Sequence, residues 1–189
     1  MVKRGASEHY ALSEDEMAVF WKACHDMEDK VLVGLQMFAT LRVSEATHLK
    51  SNWVKENEIH VPSRMDCSCW ECRDRGFWQP KSKAGARIIP ISSTLLPHLL
   101  NYLNYHPDGL SFSRVAAWHR IQRLGKEAKV GKVFNHSLRA TCATMLANNL
   151  EAAPLAYLMG WANISLASHY VNIAHARSRA AQGMRETFG

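Results

Sequence analysis

Nearly the whole of this sequence divides into segments of helix length whose apolar residues recur at helical spacing, and this division constrains the fold most. A capping box at Ser13 and Glu16 marks the start of the first helix, which Met17 and Phe20 continue. Glycine and proline separate the later segments. Predicted helices after the first cover 31–41, 43–50, 95–105, 113–128, 136–149, 151–159, 164–174 and 176–186.

Two stretches near the middle of the chain depart from the helical period. Residues 52–62 alternate, with Ile59 and Val61 on one side, and residues 86–91 form a second apolar stretch that follows a turn at 83–85. The intervening segment, 64–79, is predicted to be irregular. The predicted fold class is therefore α+β, mainly helical, with a small antiparallel sheet in a single domain.

Composition excludes several classes of protein. With 47% hydrophobic and 21% charged residues among 189, the chain can bury a core and is not disordered. It has no apolar run long enough for a membrane helix and no signal peptide, so we expect no membrane partner. Five cysteines, an odd number, argue against a disulfide framework. These features predict an intracellular, cytoplasmic location.

Positive charge is concentrated in one segment of the chain. The formal net charge is +6, and residues 111–139 carry seven basic side chains against Glu127 alone. Such a segment is either a polyanion-binding surface or a solvated helix face. The candidate binding residues within it are Arg114, Arg120, Arg123, Lys126, Lys129 and Lys132.

Four short motifs follow one another along the chain. Each alone is ordinary, because a single Arg, Lys or Tyr at a helix end is usually a surface or packing residue. Their order and spacing together are specific. The first motif is Leu41-Arg42-Val43-Ser44-Glu45, and the second is a turn that leads into a strand, from Pro80-Lys81-Ser82-Lys83 to Pro90. The third is His136-Ser137-Leu138-Arg139, and the fourth is Leu158-Met159-Gly160-Trp161 with Tyr170 nine residues after Trp161.

In this order the motifs resemble those of the tyrosine recombinases, the phage integrase family, over residues 13–175. The resemblance implies the catalytic-domain fold of that family, and site-specific DNA recombination through a 3′-phosphotyrosyl intermediate without ATP. By the same resemblance the catalytic residues are Tyr170, Arg42, Arg139, His136, Lys81 and Trp161, with Glu45 and Lys83 in support.

The chemistry of these side chains agrees with the roles that the resemblance implies. Two guanidiniums, Arg42 and Arg139, suit the charge that develops on the phosphate oxygens during strand transfer. Tyrosine is a weak nucleophile until cations stabilise its phenolate. Lys81 follows the proline directly, as the family's general acid does, although Lys83 remains an alternative. Trp161 stands where histidine is commoner, and an indole can donate a hydrogen bond but cannot accept a proton, so any base role falls to His136.

A cysteine-rich segment lies between the two predicted strands, where the family usually has a shorter connection. Residues 64–79 are interpreted as an insertion that resembles a stretch in some archaeal and archaeal-virus integrases. Cys67, Cys69 and Cys72 are candidate ligands of a structural zinc ion if a fourth ligand is found, with His60, Asp66 and Asp74 nearby in sequence. The alternative is a loop of free thiols. His48 has no partner motif and is interpreted as a structural residue. The neighbouring Arg73 and Arg75 are candidate DNA contacts.

The boundaries follow from the extent of the resemblance. Residues 1–12 are interpreted as a linker remnant, 13–175 as the catalytic domain, and 176–189 as a tail that docks on a neighbouring subunit. The family's recombinases act as a tetramer on two double-stranded DNA sites, so the implied partners are DNA and further copies of the chain. The chemistry requires no cofactor.

Two other functions fit parts of the pattern. A type IB topoisomerase uses the same chemistry to relax supercoils, but its family normally has histidine in place of Trp161. A non-catalytic DNA-binding regulator on the same fold would not need Tyr170, Arg42 and Arg139 together.

Overall fold

The computed structural model describes residues 9–188, and it is mainly helical, as the sequence predicts. Ser13 caps the first helix through the predicted capping box. Among the described residues, no helix has both the length and the apolar character needed to cross a membrane. The helices are α1 (Glu14–Ala23), α2 (Met27–Met37), α3 (Val43–Ala46), α4 (Leu96–Tyr105), α5 (Arg114–Glu127), α6 (Asn135–Ala147), α7 (Ala152–Met159) and α8 (Ile164–Phe188).

A three-stranded antiparallel sheet lies between α3 and α4. Strands β1 (Val54–Lys55), β2 (Glu58–Val61) and β5 (Arg87–Pro90) follow the order β1-β2-β5, with Ile59 opposite Ile89. The single strand predicted over 52–62 is instead a hairpin. Its two-residue turn places Glu56 and Asn57 at φ values of 49° and 64°, the left-handed conformation that tight hairpins require.

The insertion has regular structure that the sequence pattern did not predict. Residues 65–66 form β3 (Met65–Asp66) and pair antiparallel with β4 (Phe77–Trp78), so the predicted irregular segment is closed at its base by a short ladder. The prediction failed because a ladder of two residue pairs is too short to show an alternating pattern. Trp78, nearly fully buried, anchors the hairpin in the main core against Trp53, with ring centroids 5.1 Å apart.

Helix α2 is the centre of the larger hydrophobic core. All of residues 31–37 are buried, and α2 packs against α4, α5 and α6. Leu12 also belongs to this core, and its backbone N–H donates to Thr141 of α6 at 2.8 Å. Residues 9–12, the described part of the predicted linker, are therefore packed against the body of the protein. The remaining part of that prediction, residues 1–8, lies outside the described residues.

A second apolar cluster joins α6, α7 and α8. The sequence analysis placed a break between helices at 175, but α8 is continuous from Ile164 to Phe188. No proline or glycine interrupts the junction at 174–176, so nothing there opposes a continuous helix. Up to Ala174 the helix packs on its neighbours, whereas residues 175–188 are exposed on all sides.

Candidate active site

Three arginines converge on the carboxyl end of α7. Arg87 Nε donates to the carbonyl of Leu158 at 2.7 Å, Arg139 Nη2 to that of Met159 at 2.8 Å, and Arg42 Nη2 to that of Gly160 at 2.8 Å. The last carbonyls of a helix lack helical partners and form the negative end of its dipole. The end of α7 therefore fixes the three guanidiniums, which come from distant parts of the chain.

The loop after α2 provides the other side of this arrangement. Thr40 has φ of 55°, a left-handed conformation that is costly for a β-branched residue. In that conformation its carbonyl accepts hydrogen bonds from both Arg139 and Arg87, and its hydroxyl donates to the carbonyl of Leu158 at 2.6 Å. The strained backbone at Thr40 thus brings two of the arginines together.

Glu45, almost fully buried, is the acidic member of the group. It pairs with Arg87 at 3.0 Å and with Arg42 at 2.9 Å, and it also accepts from the Arg42 backbone N–H at 2.9 Å. Burial by itself would raise the pKa of Glu45, but the charge and hydrogen bond of Arg87, with the charges of Arg139 and Arg42, hold that pKa below its ordinary value. Glu45 is therefore ionised at neutral pH.

The charges of this group do not balance. Three guanidiniums face one carboxylate, so two positive charges are left over. Burial, together with the charge of Arg42, lowers the pKa of Arg139 to about 9, which still leaves it protonated at neutral pH. An anion placed beside Arg139 and Arg42 would relieve this repulsion. The arrangement is therefore electrostatically prepared for an anionic ligand.

A small pocket of about 160 Å³ opens beside Arg139. Helix α6 brings His136 and Arg139 to it from one face, because residues three apart on a helix are neighbours. Tyr170 of α8 is 7% exposed, and its ring stacks on Trp161 with centroids 5.5 Å apart and an interplanar angle of 24°. The pocket is lined by His136, Arg139, Ala140, Met159, Trp161, Leu166 and Tyr170.

His136 lies at the mouth of the pocket among positive charges. Partial burial lowers the pKa of its imidazole below the ordinary value, and the charges of Arg139, Lys81 and Arg42 lower it further. His136 is therefore neutral at pH 7. The same effect shows that Lys81 lies near enough to His136 to act on it electrostatically.

The two candidate lysines belong to a short turn before β5, and both are exposed. The turn is close to the end of α7, since Ser82 Oγ donates to the carbonyl of Gly160 at 3.5 Å. Within the turn, Gly85 packs so closely on Pro80 that an added Cβ would lie 2.5 Å from the proline ring. The turn therefore holds Lys81 and Lys83 at the edge of the site on a compact support.

The predicted binding residues of 111–139 fall into two groups. Arg114, Arg120 and Arg123 form ion pairs within the chain: Arg114 with Glu71, Arg120 with Glu28 and Asp29, and Arg123 with Asp29 and Glu127. The other three, all exposed, are Lys126, Lys129 and Lys132. Half of the basic side chains that were predicted to bind a polyanion therefore form ion pairs that join α5 to α2 and to the insertion.

The arginines of the insertion are exposed and stack on aromatic rings. Arg73 lies 3.7 Å from the ring of Trp70, which is 71% exposed, and Arg75 lies 5.8 Å from the ring of Phe77. Arg73 also lies 3.6 Å from Asp74. Cation–π stacking orients these guanidiniums while leaving most of their donors available.

The three cysteines of the insertion come together, but the fourth candidate ligand differs from those expected. Within residues 9–188 the group of possible metal ligands is His48, Cys67, Cys69 and Cys72. His60 instead lies 3.5 Å from Glu58, and Asp66 and Asp74 are outside the group. His48, for which the sequence shows no partner motif, lies with its Nε2 3.3 Å from Cys69 Sγ. All five cysteines are free thiols.

Sequence reasoning missed two residues of these groups, Arg87 and His48. Arg87 sits on β5 after the lysine turn, and an inward-facing Arg on a strand is the signal that was available. His48 lies four residues after Ser44, to whose carbonyl its Nδ1 bonds at 2.8 Å. Arg87 belongs to the lysine motif, which runs from Pro80 to Pro90, but no motif gives its partners or those of His48, because these depend on how distant segments pack.

The sequence matches a known protein family over most of its length. The model of the phage integrase family matches residues 11–177. The chain is 28% identical over 187 residues to the tyrosine recombinase XerA of Pyrococcus horikoshii, covering 90% of this chain and 59% of that protein. The chain therefore spans about three fifths of the length of this relative.

Solved structures share the fold. A crystal structure of XerA recombinase has a TM-score of 0.71 at 24% identity and covers 92% of this chain and 62% of its own. The Tn1549 transposon integrase in complex with circular intermediate DNA has a TM-score of 0.70 at 20% identity, with 90% and 66% covered. The catalytic domain of bacteriophage HP1 integrase has a TM-score of 0.60 at 16% identity, with 94% and 95% covered. With a family match over most of its length and the fold of recombinase catalytic domains, the chain belongs to the phage integrase family of tyrosine recombinases.

Proposed function

We propose that the protein cuts and rejoins DNA strands at specific sites, with Tyr170 as the nucleophile. The observation that carries this proposal is the position of Tyr170, buried in a pocket with Arg139 and His136, beside a group of arginines with two uncompensated positive charges. That pocket fits a phosphodiester, because its donors and its charge match a phosphate and its tyrosine supplies an oxygen nucleophile.

In the proposed reaction the phosphate is held by the arginines. Arg42 and Arg139 direct guanidinium N–H groups to the non-bridging oxygens, where negative charge increases in the pentacoordinate transition state. The indole N–H of Trp161 adds a donor and cannot take part in proton transfer. Glu45 and Arg87 contact no phosphate in this scheme and keep the two arginines in place.

Two groups around the site transfer protons in this scheme, one as a base and one as an acid. Tyr170 Oη attacks phosphorus and gives its proton to the neutral His136, and the bond from phosphorus to the 5′-oxygen breaks. Lys81 donates a proton to that leaving oxygen, with Lys83 as the alternative donor. A phosphotyrosyl bond replaces a phosphodiester bond of similar energy, so a 5′-hydroxyl of another strand can reverse the step without ATP.

No cofactor takes part in this chemistry. The cysteines of the insertion, Cys67, Cys69 and Cys72, suit a structural zinc ion, since thiolates are the ligands that structural zinc prefers. None of the three belongs to the residues around the Tyr170 pocket.

We further propose that double-stranded DNA lies across the pocket and along the exposed basic residues. Lys126, Lys129 and Lys132 have no acidic neighbour among the ion pairs of the described residues, so they are the preferred phosphate contacts of 111–139. Arg73 and Arg75 extend the surface into the insertion. Arg114, Arg120 and Arg123 contribute only donors that their carboxylate partners leave available.

The partner of the exposed end of α8 is proposed to be a second copy of the chain. Residues 175–188 carry Met184 and Phe188, which are 61% and 79% exposed. Apolar side chains on an otherwise unpacked helix favour docking in a groove of another protein. Docking of this tail would assemble a tetramer on two DNA sites, inside the cell where the genome is found.

Covalent trapping on nicked DNA tests the proposal. A pool of nicked duplexes that span candidate recombination junctions should give a protein–DNA adduct, and peptide mapping should find the DNA on Tyr170. The adduct should disappear in Tyr170→Phe and persist in Tyr105→Phe, a change at a tyrosine 74% exposed and outside the pocket.

Two results would oppose the proposal. An adduct that survives Tyr170→Phe would place the nucleophile elsewhere. Relaxation of supercoiled plasmid by the monomer, with no dependence on sequence, would instead support the topoisomerase alternative.

A further inference from the structure

The strongest feature outside the pocket is the group of three thiols and one imidazole at the base of the insertion. The ligand atoms of His48, Cys67, Cys69 and Cys72 all lie within 4.8 Å of one another. His48 Nε2 lies 3.3 Å from Cys69 Sγ and 3.4 Å from Cys72 Sγ. Tetrahedral zinc with ordinary bond lengths requires N–S separations of about 3.6 Å and S–S separations of about 3.8 Å, so no pair of ligand atoms has to approach by more than about 1 Å.

The imidazole is already oriented for metal binding. His48 Nδ1 lies 2.8 Å from the carbonyl of Ser44, which can only accept a hydrogen bond, so Nδ1 carries the proton. The lone pair of Nε2 then points to the thiols. His48 is 8% exposed and stacks on Trp78 with centroids 5.6 Å apart. A backbone acceptor on the second ring nitrogen is the usual support of a metal-bound histidine.

We propose that His48, Cys67, Cys69 and Cys72 form a closed zinc site, of three thiolates and one imidazole, that joins the insertion to the turn that follows α3. With four protein ligands there is no open position for water or substrate, so the metal is structural and not catalytic. The proposal does not depend on strand transfer by Tyr170, and the two can be tested separately.

The location of the site gives the metal a definite mechanical role. His48 follows Glu45 by three residues, and Ser44 receives a second hydrogen bond, to its Oγ, from Trp78 Nε1 at 3.0 Å. On the other side, Glu71 accepts from the backbone N–H of Arg114 at 2.9 Å and so caps the start of α5. Zinc would therefore connect the insertion directly to the segment that follows α3, and through Glu71 it would support the contact between the insertion and α5.

Metal content and affinity form the first test. The full chain, purified without added metal and then given zinc, should hold one zinc ion per chain by mass spectrometry. Replacement with cobalt(II) should give the absorption of a tetrahedral site with thiolate charge-transfer bands. His48→Ala should weaken zinc binding by more than the roughly 10- to 100-fold that loss of a supporting hydrogen bond costs.

Two further variants test whether His48 is the fourth ligand. His48→Gln, which keeps a side chain of similar size against Trp78 but supplies no imidazole lone pair, should lose zinc affinity as His48→Ala does, even if His48→Ala folds poorly. His60→Ala should bind zinc as the unchanged protein does, because His60 pairs with Glu58 outside the cluster. Equal affinity of His48→Ala and the unchanged protein, or zinc loss in His60→Ala, would overturn the assignment.

Protection from trypsin is the second readout and requires no DNA. Arg73 and Arg75 are exposed cleavage sites within the insertion. With zinc bound, the insertion should resist cutting, and a chelator should permit cleavage after these arginines. Cleavage in the exposed end of α8, at Arg177, Arg179 and Arg185, should be the same with and without zinc and serves as the control. A chain that takes up no zinc, or that forms a disulfide between two of the three cysteines under reducing purification, would refute the site.

Discussion

Arg87 uses its guanidinium entirely within the protein. Its side chain is fully buried, and its donors reach the carbonyls of Leu158, Gly85 and Thr40 as well as the carboxylate of Glu45. Because these contacts engage its donors, Arg87 is not available to bind a substrate. It acts by keeping Glu45 ionised and by holding the end of α7 against the loop after α2.

Substitution of Arg87 should therefore affect stability first. Arg87→Met leaves a buried carboxylate and several carbonyls without partners, and it should lower the free energy of unfolding by about 3–5 kcal/mol. Arg185→Met, on the exposed part of α8, should change it by less than about 0.5 kcal/mol. Urea denaturation measures both, and equal decreases would contradict the role given to Arg87.

The pKa of His136 offers a test of which lysine lies close to it. Removing a positive charge favours the imidazolium, so Lys81→Met should move the lowered pKa of His136 back up toward about 6.5. Lys83→Met should move it less. Titration of the ring by NMR gives the values, and a larger shift from Lys83→Met would exchange the two assignments.

The same lowered pKa sets the pH dependence of the reaction. Because His136 is neutral in the range in which a free histidine is already partly protonated, it can accept a proton down to pH values below about 6.5. Adduct formation should stay level through pH 7 and fall only as the pH drops through the lowered pKa. The rate of adduct formation in a single turnover, measured from about pH 5 to 8, tests this. A rate that already falls as the pH drops through values above about 6.5 would contradict the role given to His136.

At the scale of elements, the end of α7 depends on Gly160. This residue has φ of 60°, and an added Cβ would lie 2.9 Å from Arg87 Nη1 and 3.1 Å from the carbonyl oxygen of Ala84. The turn that ends α7 therefore needs glycine both for its left-handed backbone and for the close approach of Arg87.

Two glycine substitutions should change the stability of the protein in opposite directions. Gly160→Ala should lower the free energy of unfolding by more than the roughly 1–2 kcal/mol of a left-handed alanine, because Arg87 must also move. Gly183→Ala, in an open part of α8, should raise helix stability by roughly 0.5–1 kcal/mol. Thermal unfolding distinguishes the two, and a neutral Gly160→Ala would show that the end of α7 tolerates another conformation.

At the scale of the whole molecule, the basic residues of 111–139 serve two purposes. Asp29, almost fully buried, is paired with Arg120 and Arg123, which ties α5 to α2. Lys126, Lys129 and Lys132 stay exposed. Positive charge counted along the sequence therefore overstates the charge that is available to the proposed DNA partner.

Salt dependence separates the two groups. Replacing the three lysines by alanine should reduce the slope of log K against log salt by about 0.9 for each phosphate that the variant no longer neutralises. Arg120→Met should leave that slope nearly unchanged and lower stability instead. Fluorescence anisotropy over a salt series measures the slopes, and an equal reduction by Arg120→Met would mean that Arg120 also contacts phosphate.

Removal of residues 176–188 should affect assembly and leave the pocket intact. Tyr170 and Ala174 pack on α6 and α7, whereas the chain beyond them is exposed. The shortened protein should form the Tyr170 adduct on one site and fail to join two DNA sites into a larger complex. Light scattering measures the mass of the protein–DNA complexes. Complexes of equal mass from the full and the shortened chain would contradict docking by the tail.

The helices and the family could be predicted from the sequence, because helical periodicity, the capping box at Ser13 and the motifs can all be read along the chain. Arg42, His136, Arg139, Trp161 and Tyr170 could all be selected from motifs, and their elements were placed to within a few residues. The continuous α8, the hairpin over 54–61 and the paired base of the insertion were not, since two-residue strands and uninterrupted helix junctions leave little trace in a pattern.

Which charged groups pair, and which side chains form the candidate metal site, depends on the tertiary structure. Arg87 meets the carbonyl of Leu158 across 71 residues, Arg120 meets Asp29 across 91, and His48 meets Cys72 across 24. Ion pairs and metal ligands act through distances in space, and burial decides which partner each group must find. That is why the motifs indicated Arg42 and Arg139, whereas the packing of α2, α5 and α7 determined which groups hold them and which basic side chains remain exposed.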